Sequence, residues 1–420
     1  EVQMDCIAEE LGIDPVELRL KNVMESGETT VNQLYLSSFG MRECLEAVKE
    51  NSAWRTKKGK LPRGRGIGMA CGFFVSGAGY PIYRTEMAHS HVFIKVSEDG
   101  NGITVFTGSG EIGQGSDTTM AMIAAEMMGL ALEDVRIVSG DTELTPVDLG
   151  AYSSRQTLMT GWATKRAAED ARSQIAEVVG EVFQVAPESL VFQDGVILGT
   201  ENFSLLEQIR RNYIGEHRGF QDRPSGESLT FREAARLAFN ERGIVIGRGL
   251  YRPPKLGGDF KGAAVGTSPA YGCSALVVEV EVDLETGEVT VPEMTEAHDC
   301  GFAINRTSVE GQMEGSLANG VGEALFESVK FGERGEILNP TLGDYKVPTA
   351  LDLPDMKAII IESDEPNGPF GAKEVGEGAI MPVIPAILNA IYDATGVRIS
   401  ELPASSERIL MAIRAKEKDD

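Results

Sequence analysis

The sequence predicts an α+β fold of two lobes, each a mixed or antiparallel sheet with packed helices. Strand-like runs flank two tight-turn sequences, Asp99–Gly102 and Glu285–Gly287, so each lobe contains a β-hairpin. After each hairpin a segment rich in Gly and Gln leads into a helical pattern, near Thr118 in the first lobe and near Val309 in the second. Because the order of elements repeats, we expect two lobes of the same kind that face one ligand.

Composition excludes several classes of protein. With 420 residues and 42% hydrophobic content, the chain can bury the cores of two or three domains. Its apolar runs are far shorter than the roughly 20 residues of a membrane span. Acidic residues outnumber basic ones 64 to 39, which disfavours a nucleic-acid partner. Five cysteines without a CxxC pair indicate neither a zinc nor an iron–sulfur site, and their odd number favours a reducing, cytoplasmic location.

The first 60 residues are predicted to be helical and to end in a basic linker. Met4–Leu11, a segment capped by Asp14, and Met41–Ala53 have helical patterns. The basic stretch 57–64 contains Gly and Pro and is interpreted as a solvated joint. Because the chain starts at Glu1 inside a helical pattern, we expect it to be a piece of a longer protein. The predicted divisions are 1–60 (helical end of a preceding domain plus linker), 61–245 (first lobe) and 246–420 (second lobe).

The first lobe is predicted to begin with strands and end with helices. Ile67–Val75 has a strand pattern, and Val92–Val96 and Ile103–Phe106 form the first hairpin. Apolar spacing then predicts helices over Thr118–Met128 and Gly161–Val179. The polar loop before the second of these helices is rich in Ser and Gly, which suits a ligand-binding turn.

The second lobe is predicted to follow the same plan. Val278–Val282 and Val289–Val291 form its hairpin, and a helix opens near Val309. Between them, His298 and Asp299 could form an acid/base pair or a satisfied polar turn, and we favour the turn. A last apolar helix is predicted over Ala379–Ala394.

The loop before that helix, Gly368–Gly378, places charged side chains among glycines. Glycines let a backbone approach a ligand closely, so a carboxylate held there is a candidate general base. The competing interpretation is a helix N-terminus whose acidic residues, Glu374 and Glu377, compensate the helix dipole. Lys373 and Glu374 are interpreted as a local ion pair that shapes the loop.

Three glycines, Gly108, Gly110 and Gly113, match the dinucleotide fingerprint GxGxxG and raise the alternative of an NAD-dependent dehydrogenase. The strand before them belongs to a hairpin, and Asp141 lies beyond the spacing of about 20 residues expected for the ribose-binding acid. A nicotinamide site is therefore disfavoured. The segment still predicts an anion cradle of backbone N–H groups at a helix start.

Five segments in order resemble the C-terminal half of the molybdopterin-binding large subunit of the xanthine dehydrogenase family, the molybdenum hydroxylases. The likeness covers essentially the whole chain. The five segments are Gly113–Gly115, Ser153–Gln156, Asp299–Asn305, Gly311–Gly315 and Lys373–Glu377. Within the family, three further segments look most like 4-hydroxybenzoyl-CoA reductase: Asp148–Arg155, Tyr251–Phe260 and Ala264–Tyr271.

The resemblance implies a role for each matching residue. Glu377 is the active-site carboxylate beside molybdenum and takes up a proton, and for this role we expect it to be buried. No side chain ligates the metal, which the dithiolene of the pterin holds, and Gln114 faces an oxo ligand. The implied contacts to the pterin and its phosphates are Gly113, Gly115, Ser153, Ser154, Arg155, Gln156, Asn305, Gln312, Gly315, Lys373 and Gly376.

The resemblance also implies cofactors and partners. The cofactor is molybdopterin with molybdenum, in the cytosine dinucleotide form, and electrons pass to [2Fe-2S] and FAD groups on an iron–sulfur subunit and an FAD subunit. The family's preceding half carries a GGxFGxK segment and an arginine-containing loop, and this chain has neither. We therefore expect a polypeptide with the N-terminal half, without which the chain is inactive.

The function implied is oxidation or reduction of an aromatic or N-heteroaromatic substrate, with Glu377 as general base. Reductive dehydroxylation like that of 4-hydroxybenzoyl-CoA reductase, and hydroxylation of xanthine, another purine or nicotinate, both remain open. A different class of function is a non-catalytic half-subunit that only completes a cofactor site.

Overall fold

The computed structural model describes residues 1–77, 87–211, 228–254, 256 and 267–419, and the chain divides into two compact units. Both contain helices and sheets, which confirms the predicted α+β class. Unit 1 consists of Glu1–Ser76, Gly257–Asn367 and Gly371–Asp420, and unit 2 of Gly77–Leu256 and Gly368–Phe370.

The helices of the described residues include every helix that the apolar spacing predicts, with bounds shifted by a few residues. In chain order they are α1 (Val2–Leu11), α2 (Pro15–Asn22), α3 (Met41–Asn51), α4 (Trp54–Lys57), α5 (Ser116–Met128), α6 (Gly161–Phe183), α7 (Phe203–Ile209), α8 (Phe231–Arg242), α9 (Arg306–Leu325), α10 (Val383–Thr395) and α11 (Ser406–Asp419).

The strands of the described residues form two four-stranded sheets and one small three-stranded sheet. In chain order they are β1 (Arg65–Val75), β2 (Ser90–Val96), β3 (Ile103–Thr107), β4 (Val135–Ser139), β5 (Val191–Gln193), β6 (Val196–Leu198), β7 (Leu229–Thr230), β8 (Ile246–Tyr251), β9 (Tyr271–Val282), β10 (Val289–Asp299) and β11 (Asp355–Ile361).

The sheet of unit 1 has the strand order β1-β9-β10-β11. Strands β9 and β10 are the predicted hairpin, β11 is parallel to β10, and β1 is antiparallel to β9. One face packs on α9 and α10 through residues such as Met294 and Leu317, and the other packs on α3 and α4 through Val48 and Trp54. Helix α9 therefore serves as the crossover of a parallel β10–α9–β11 unit.

The main sheet of unit 2 has the same arrangement of strands. Its order is β4-β3-β2-β8, with the hairpin β2–β3 at the centre, β4 parallel to β3, and β8 antiparallel to β2. Helix α5 is the crossover from β3 to β4. The hairpin, crossover helix and parallel strand thus occur in the same order in both units, whereas the fourth strand precedes the hairpin in unit 1 (β1) and follows it in unit 2 (β8).

A second repeated feature joins a strand to a helix in each unit. A methyl group on Gly249 of β8 would overlap the carbonyl oxygen of Ala163 in α6, and one on Gly66 of β1 would overlap that of Ala390 in α10. Gly-x-Gly strands and Ala-rich helices therefore pack at backbone contact in both units. Only glycine leaves room for this approach.

The unit boundaries differ from the predicted divisions. They fall at 76/77 and 256/257, whereas the sequence predicts 60/61 and 245/246. Strand β1 pairs with β9 of unit 1 and not with the first hairpin. The basic stretch is also docked, since Lys57 pairs with Glu279 and Lys58 with Asp393. Residues 1–76 thus belong with the C-terminal part of the chain.

The described part of the chain has no helix that combines the length and hydrophobicity needed to cross a bilayer.

Candidate functional site

The predicted site segments follow the parallel strand pairs of the two sheets. In unit 2 they are the β3–α5 loop and the loop between β4 and α6; in unit 1 they are the β10–α9 loop and the loop between β11 and α10. Ligands of sheets with parallel strands bind outside the carboxyl ends of those strands. Each unit therefore offers two adjacent loops at the expected edge.

The β3–α5 loop of unit 2 folds around its own Glu111. The Glu111 carboxylate accepts hydrogen bonds from the backbone N–H groups of Gly113 (2.8 Å), Gly115 (3.1 Å) and Asp117 (3.0 Å). Burial opposes ionisation, but these donors outweigh it and hold the pKa of Glu111 below its usual value. The predicted anion cradle exists, and a side chain of this protein occupies it.

The Gln114 amide also bonds within this loop. Its nitrogen donates to the Gly110 carbonyl oxygen (3.0 Å), and its oxygen accepts from the Ile112 N–H (2.7 Å). The side chain is half-buried, and no heavy atom lies within 4 Å of the position of a Cβ on Gly113. The backbone at Gly113 is therefore open to a ligand.

The topological argument against a dinucleotide fold was wrong, because β3, α5 and β4 do form a parallel βαβ unit. The residue that disfavours a dinucleotide site is instead Glu111. Its carboxylate takes the backbone N–H groups that a pyrophosphate would need.

Arg155, in the second loop of unit 2, is fully buried and bonds inside the protein. Its guanidinium donates to Asp148 Oδ1 (2.6 Å), the Gly150 carbonyl (2.8 Å), the His89 carbonyl (2.8 Å) and Ser90 Oγ (2.6 Å), and its Nε to Met159 Sδ (3.4 Å). All five N–H groups have acceptors. Arg155 therefore holds the loop together, contrary to the expected phosphate contact.

The turn before Arg155 is strained, and a buried donor follows it. Ser153 and Ser154 have φ values of 51° and 47°, which L-residues adopt rarely and mostly at functional turns. Gln156 accepts from Thr160 Oγ1 (2.8 Å), whereas its buried Nε2 has no hydrogen-bond partner among the described residues. A buried amide N–H group without a hydrogen-bond partner is a candidate ligand contact.

In unit 1, the β10–α9 loop and helix α9 carry three of the predicted residues. Asn305 caps α9, since its Oδ1 accepts from the Ser308 N–H (3.2 Å). Gln312 is half-buried about two turns further on, and Gly315 is exposed with nothing within 4 Å of a Cβ position. The first three turns of α9 thus present amides and open backbone.

Glu377 is exposed in this chain, so burial by the chain's own residues, which the sequence led us to expect, is absent. The backbone on both sides of it is nevertheless fixed. Ser316 Oγ donates to the Gly376 carbonyl (3.0 Å), and Ser274 Oγ donates to the Gly378 carbonyl (3.0 Å). The loop therefore presents the Glu377 carboxylate from a rigid base. Helix α10 begins six residues later, at Val383, so neither Glu374 nor Glu377 lies in its first turn.

The predicted ion pair between Lys373 and Glu374 is wrong. Lys373 is fully buried and pairs with Asp299 (2.6 Å), and its ammonium also donates to Ser38 Oγ (2.9 Å). Burial opposes ionisation of Asp299, but Lys373, Ser363 and the Gly40 N–H hold the Asp299 pKa below its usual value. Lys373 shapes the loop, as expected, through a partner from β10.

His298 and Asp299 lie on opposite faces of β10 and do not form a pair. His298 Nε2 lies 3.1 Å from the Glu374 carbonyl oxygen and 3.4 Å from Glu374 Oε1. Sequence reasoning missed this buried contact and the neighbouring Glu296. The alternation of β10 could have revealed it, because Met294, Glu296 and His298 share one face.

The described residues contain no group of three or more His, Cys, Asp or Glu side chains arranged to hold a metal ion. Half of Tyr251–Phe260 and the first three residues of Ala264–Tyr271 lie outside the described residues.

Comparison with known proteins gives consistent matches over the whole chain. The family model of the molybdopterin cofactor-binding domain matches residues 43–354. The chain is 32% identical, over 97% of its length, to the putative xanthine dehydrogenase molybdenum-binding subunit XdhA of Escherichia coli K12, and covers 51% of that protein. It is 25% identical, over 99% of its length, to the large subunit of nicotine 6-hydroxylase from Paenarthrobacter nicotinovorans, and covers 49% of it.

A solved structure agrees with these relatives. Quinoline 2-oxidoreductase from Pseudomonas putida 86 superposes with a TM-score of 0.82 at 25% identity, over 99% of this chain and 51% of that one. The chain thus spans about half the length of the curated relatives it matches.

Proposed function

The chain belongs to the molybdopterin cofactor-binding domain family, and we propose that it forms the C-terminal half of the molybdopterin-binding subunit of a molybdenum hydroxylase-type oxidoreductase. The substrate proposed is an N-heteroaromatic compound. This choice is supported by relatives named for xanthine, nicotine and quinoline. A purine or nicotinate and a 4-hydroxybenzoyl-CoA-like thioester are the alternatives within the same class.

The residues present fit a molybdopterin. Such a cofactor carries the redox chemistry itself and needs from the protein neutral donors, accessible backbone and one base. The unpartnered Nε2 of Gln156 and the open backbone at Gly113 and Gly315 meet the first two needs. Glu377, exposed on a fixed backbone, meets the third.

The proposed roles follow from these positions. Gln156, Gln312 and Gly315 would hold the pterin and its phosphates, and Gly113 and Gly115, whose N–H groups Glu111 already takes, would let the cofactor approach the loop closely. When bound, the cofactor supplies the two-electron chemistry at the substrate carbon. The residues Ser153, Ser154, Asn305 and Gly376 shape the contact loops, and Arg155 and Lys373 act only through the loops they hold.

Glu377 is proposed to take and hold a proton on its carboxylate oxygen during turnover. A general base works best where water is excluded, and this chain leaves Glu377 exposed. We therefore propose that a polypeptide equivalent to the other half of the relatives covers it. We propose the cytosine dinucleotide form of the cofactor and electron transfer to [2Fe-2S] and FAD subunits. The proposed location is cytoplasmic, which the five free cysteines support.

The observation that carries the function is the Glu377 loop, fixed on both sides within a chain of this family. We expect Glu377→Gln to lower kcat of the complete enzyme by at least about a thousandfold, because it removes the base and keeps the shape. The molybdenum content, measured by elemental analysis, should not change. Glu333→Gln, the same charge change at an exposed residue of unit 1, is the control.

The second candidate function is a non-catalytic half-subunit that completes a cofactor site, and the exposure of Glu377 favours it. Full activity of the Glu377→Gln enzyme at unchanged molybdenum content would establish this alternative and refute the catalytic proposal. An NAD-dependent dehydrogenase would instead bind NADH through the isolated chain, which quenching of protein fluorescence measures.

A further inference from the structure

A buried acidic cluster lies behind the Glu377 loop in unit 1. It consists of Glu296 and His298 on β10 and Glu374 in the loop, and their exposures are 0%, 0% and 1%. Glu296 and His298 are two residues apart on one strand, so their side chains point to the same face of the sheet. The mechanism proposed above uses none of the three.

Glu374 connects this cluster to the backbone that carries Glu377. Its Oε2 accepts a hydrogen bond from the Gly378 N–H (3.2 Å), next to Glu377 in sequence. Its Oε1 lies 3.4 Å from His298 Nε2. A Cβ on either Gly272 or Gly378 would overlap Oε1, so the carboxylate fills the space beside both glycines. The Glu374 carboxylate is therefore hydrogen-bonded and packed as part of the loop.

The backbone around Glu377 is held by three side chains from three elements. Ser316 of α9 binds the Gly376 carbonyl, Ser274 of β9 binds the Gly378 carbonyl, and Glu374 binds the Gly378 N–H. Glu374 is the one carboxyl group among the three side chains, the other two being hydroxyl groups.

Glu296 differs from Glu374 in its surroundings. Neither of its carboxyl oxygens has a hydrogen-bond partner among the described residues. Complete burial, followed by the charge of Glu374, raises the pKa of Glu296 well above its usual value. Both causes favour the protonated form of Glu296, so this side chain is a neutral acid at pH values where an exposed carboxyl group is ionised.

We propose that Glu374 is a positioning residue for Glu377, and that the fully buried Glu296, whose carboxyl oxygens have no partner among the described residues, is a neutral acid. The proposal rests on the proposed role of Glu377 as a base. It assigns the buried cluster a task in orienting that base and gives it no contact with substrate.

The kinetic test compares Glu374→Gln, Ser316→Ala and the control Glu333→Gln in the complete enzyme. We expect the first two variants to lower kcat by about ten- to a hundredfold with KM and molybdenum content unchanged, as for other residues that orient a reacting group through a hydrogen bond. Ser316→Ala covers the case in which Glu374→Gln does not fold. Wild-type kcat in Ser316→Ala or in a folded Glu374→Gln enzyme would overturn the positioning role.

A second measurement does not depend on activity. Infrared spectra of the same complex at neutral pH should show the C=O stretch of a protonated carboxylic acid that Glu296→Gln removes and Glu333→Gln retains. In Glu374→Gln this band should disappear at a lower pH than in the wild type, because the charge that favours the protonated form is gone. If Glu296→Gln leaves the spectrum unchanged, the neutral-acid part is wrong.

The two proposals fail separately. Loss of turnover in Glu377→Gln together with wild-type kinetics in Glu374→Gln and Ser316→Ala would refute positioning and leave the function intact. Full turnover in Glu377→Gln would refute the function, and the infrared result would still decide the state of Glu296.

Discussion

Arg155 and Lys373 are the two cations that the motifs place beside a cofactor, and each is enclosed by protein instead. The acceptors of Arg155 come from its own loop and from β2, and those of Lys373 come from residues 74 and 335 positions away in sequence. A motif predicts which loop a residue shapes. It does not predict where the side chain points, because partners so distant in sequence decide that.

Replacement of Arg155 tests its structural role. Arg155→Met keeps much of the side-chain volume and leaves Asp148 buried without its cation, since both side chains are fully buried. We expect the free energy of unfolding to fall by about 3–5 kcal/mol, as for other buried pairs that lose one partner. Urea unfolding of the chain measures it, with Arg334→Met at an exposed site as control. A change below about 1 kcal/mol would show that Asp148 finds another partner.

Acid should weaken the Lys373–Asp299 pair in a defined direction. The pKa of Asp299 is lowered in the folded state, so its stabilising contribution is fully present above the unfolded pKa of about 3.9 and is lost as pH falls through the folded value. We expect the difference in unfolding free energy between wild type and Asp299→Asn to be constant from pH 7 to about 5 and to shrink below pH 4. If this difference in unfolding free energy grew as the pH fell, the direction of the Asp299 pKa shift would be wrong.

The predicted elements were accurate where the signal was local. Both hairpins and the Asp14 cap are in the structure as expected. The edge strands β1, β8 and β11 find partners far along the chain, and no local pattern specifies such a partner. The helix predicted from Ala379 begins at Val383, because the hydrogen bonds around Gly378 hold the preceding residues in a turn.

Two Gly→Ala changes should shift the free energy of unfolding in opposite directions, one at the contact between β8 and α6 and one on α9. Gly249→Ala should destabilise the fold by about 1–3 kcal/mol, because the new methyl group overlaps the Ala163 carbonyl oxygen. Gly311→Ala lies on an open face of α9 with nothing within 4 Å, so it should stabilise by about 0.5–1 kcal/mol. Urea unfolding of both variants provides the comparison. If both variants changed the free energy of unfolding by the same amount in the same direction, the explanation by steric overlap at Gly249 and helix propensity at Gly311 would be wrong.

At the scale of the whole molecule, the sequence predicted two lobes of the same kind but divided the chain in the wrong places. Hairpins and glycine segments are local features, so their repetition is visible in the sequence. The assignment of residues 1–76 to unit 1 depends on Trp54, Val48 and β1 packing against β9 and β10, which are more than 190 residues away. The exposure of Glu377 was equally beyond prediction, because the chain spans about half the length of the relatives it matches and no local pattern shows which side chains the described residues leave uncovered.

The proposed second half must also cover apolar side chains that unit 1 exposes between α9 and β11. In that segment Phe331 is 65% exposed, Leu342 80% and Leu351 97%, so their burial against a partner would be favourable. We expect the double variant Leu342→Ser/Leu351→Ser to retain the unfolding free energy of the chain, because both side chains are already in water. It should bind a co-expressed N-terminal half about thirtyfold more weakly than the wild type does and co-purify with it less, since two apolar contacts of ~1 kcal/mol each are lost. Met411→Ser, at another exposed apolar side chain of unit 1, is the control. Equal recovery of the partner with the wild type and the double variant would show that the second half covers a different face. The exposed face of α9 around Gly311 and Gly315 would then be the next surface to test.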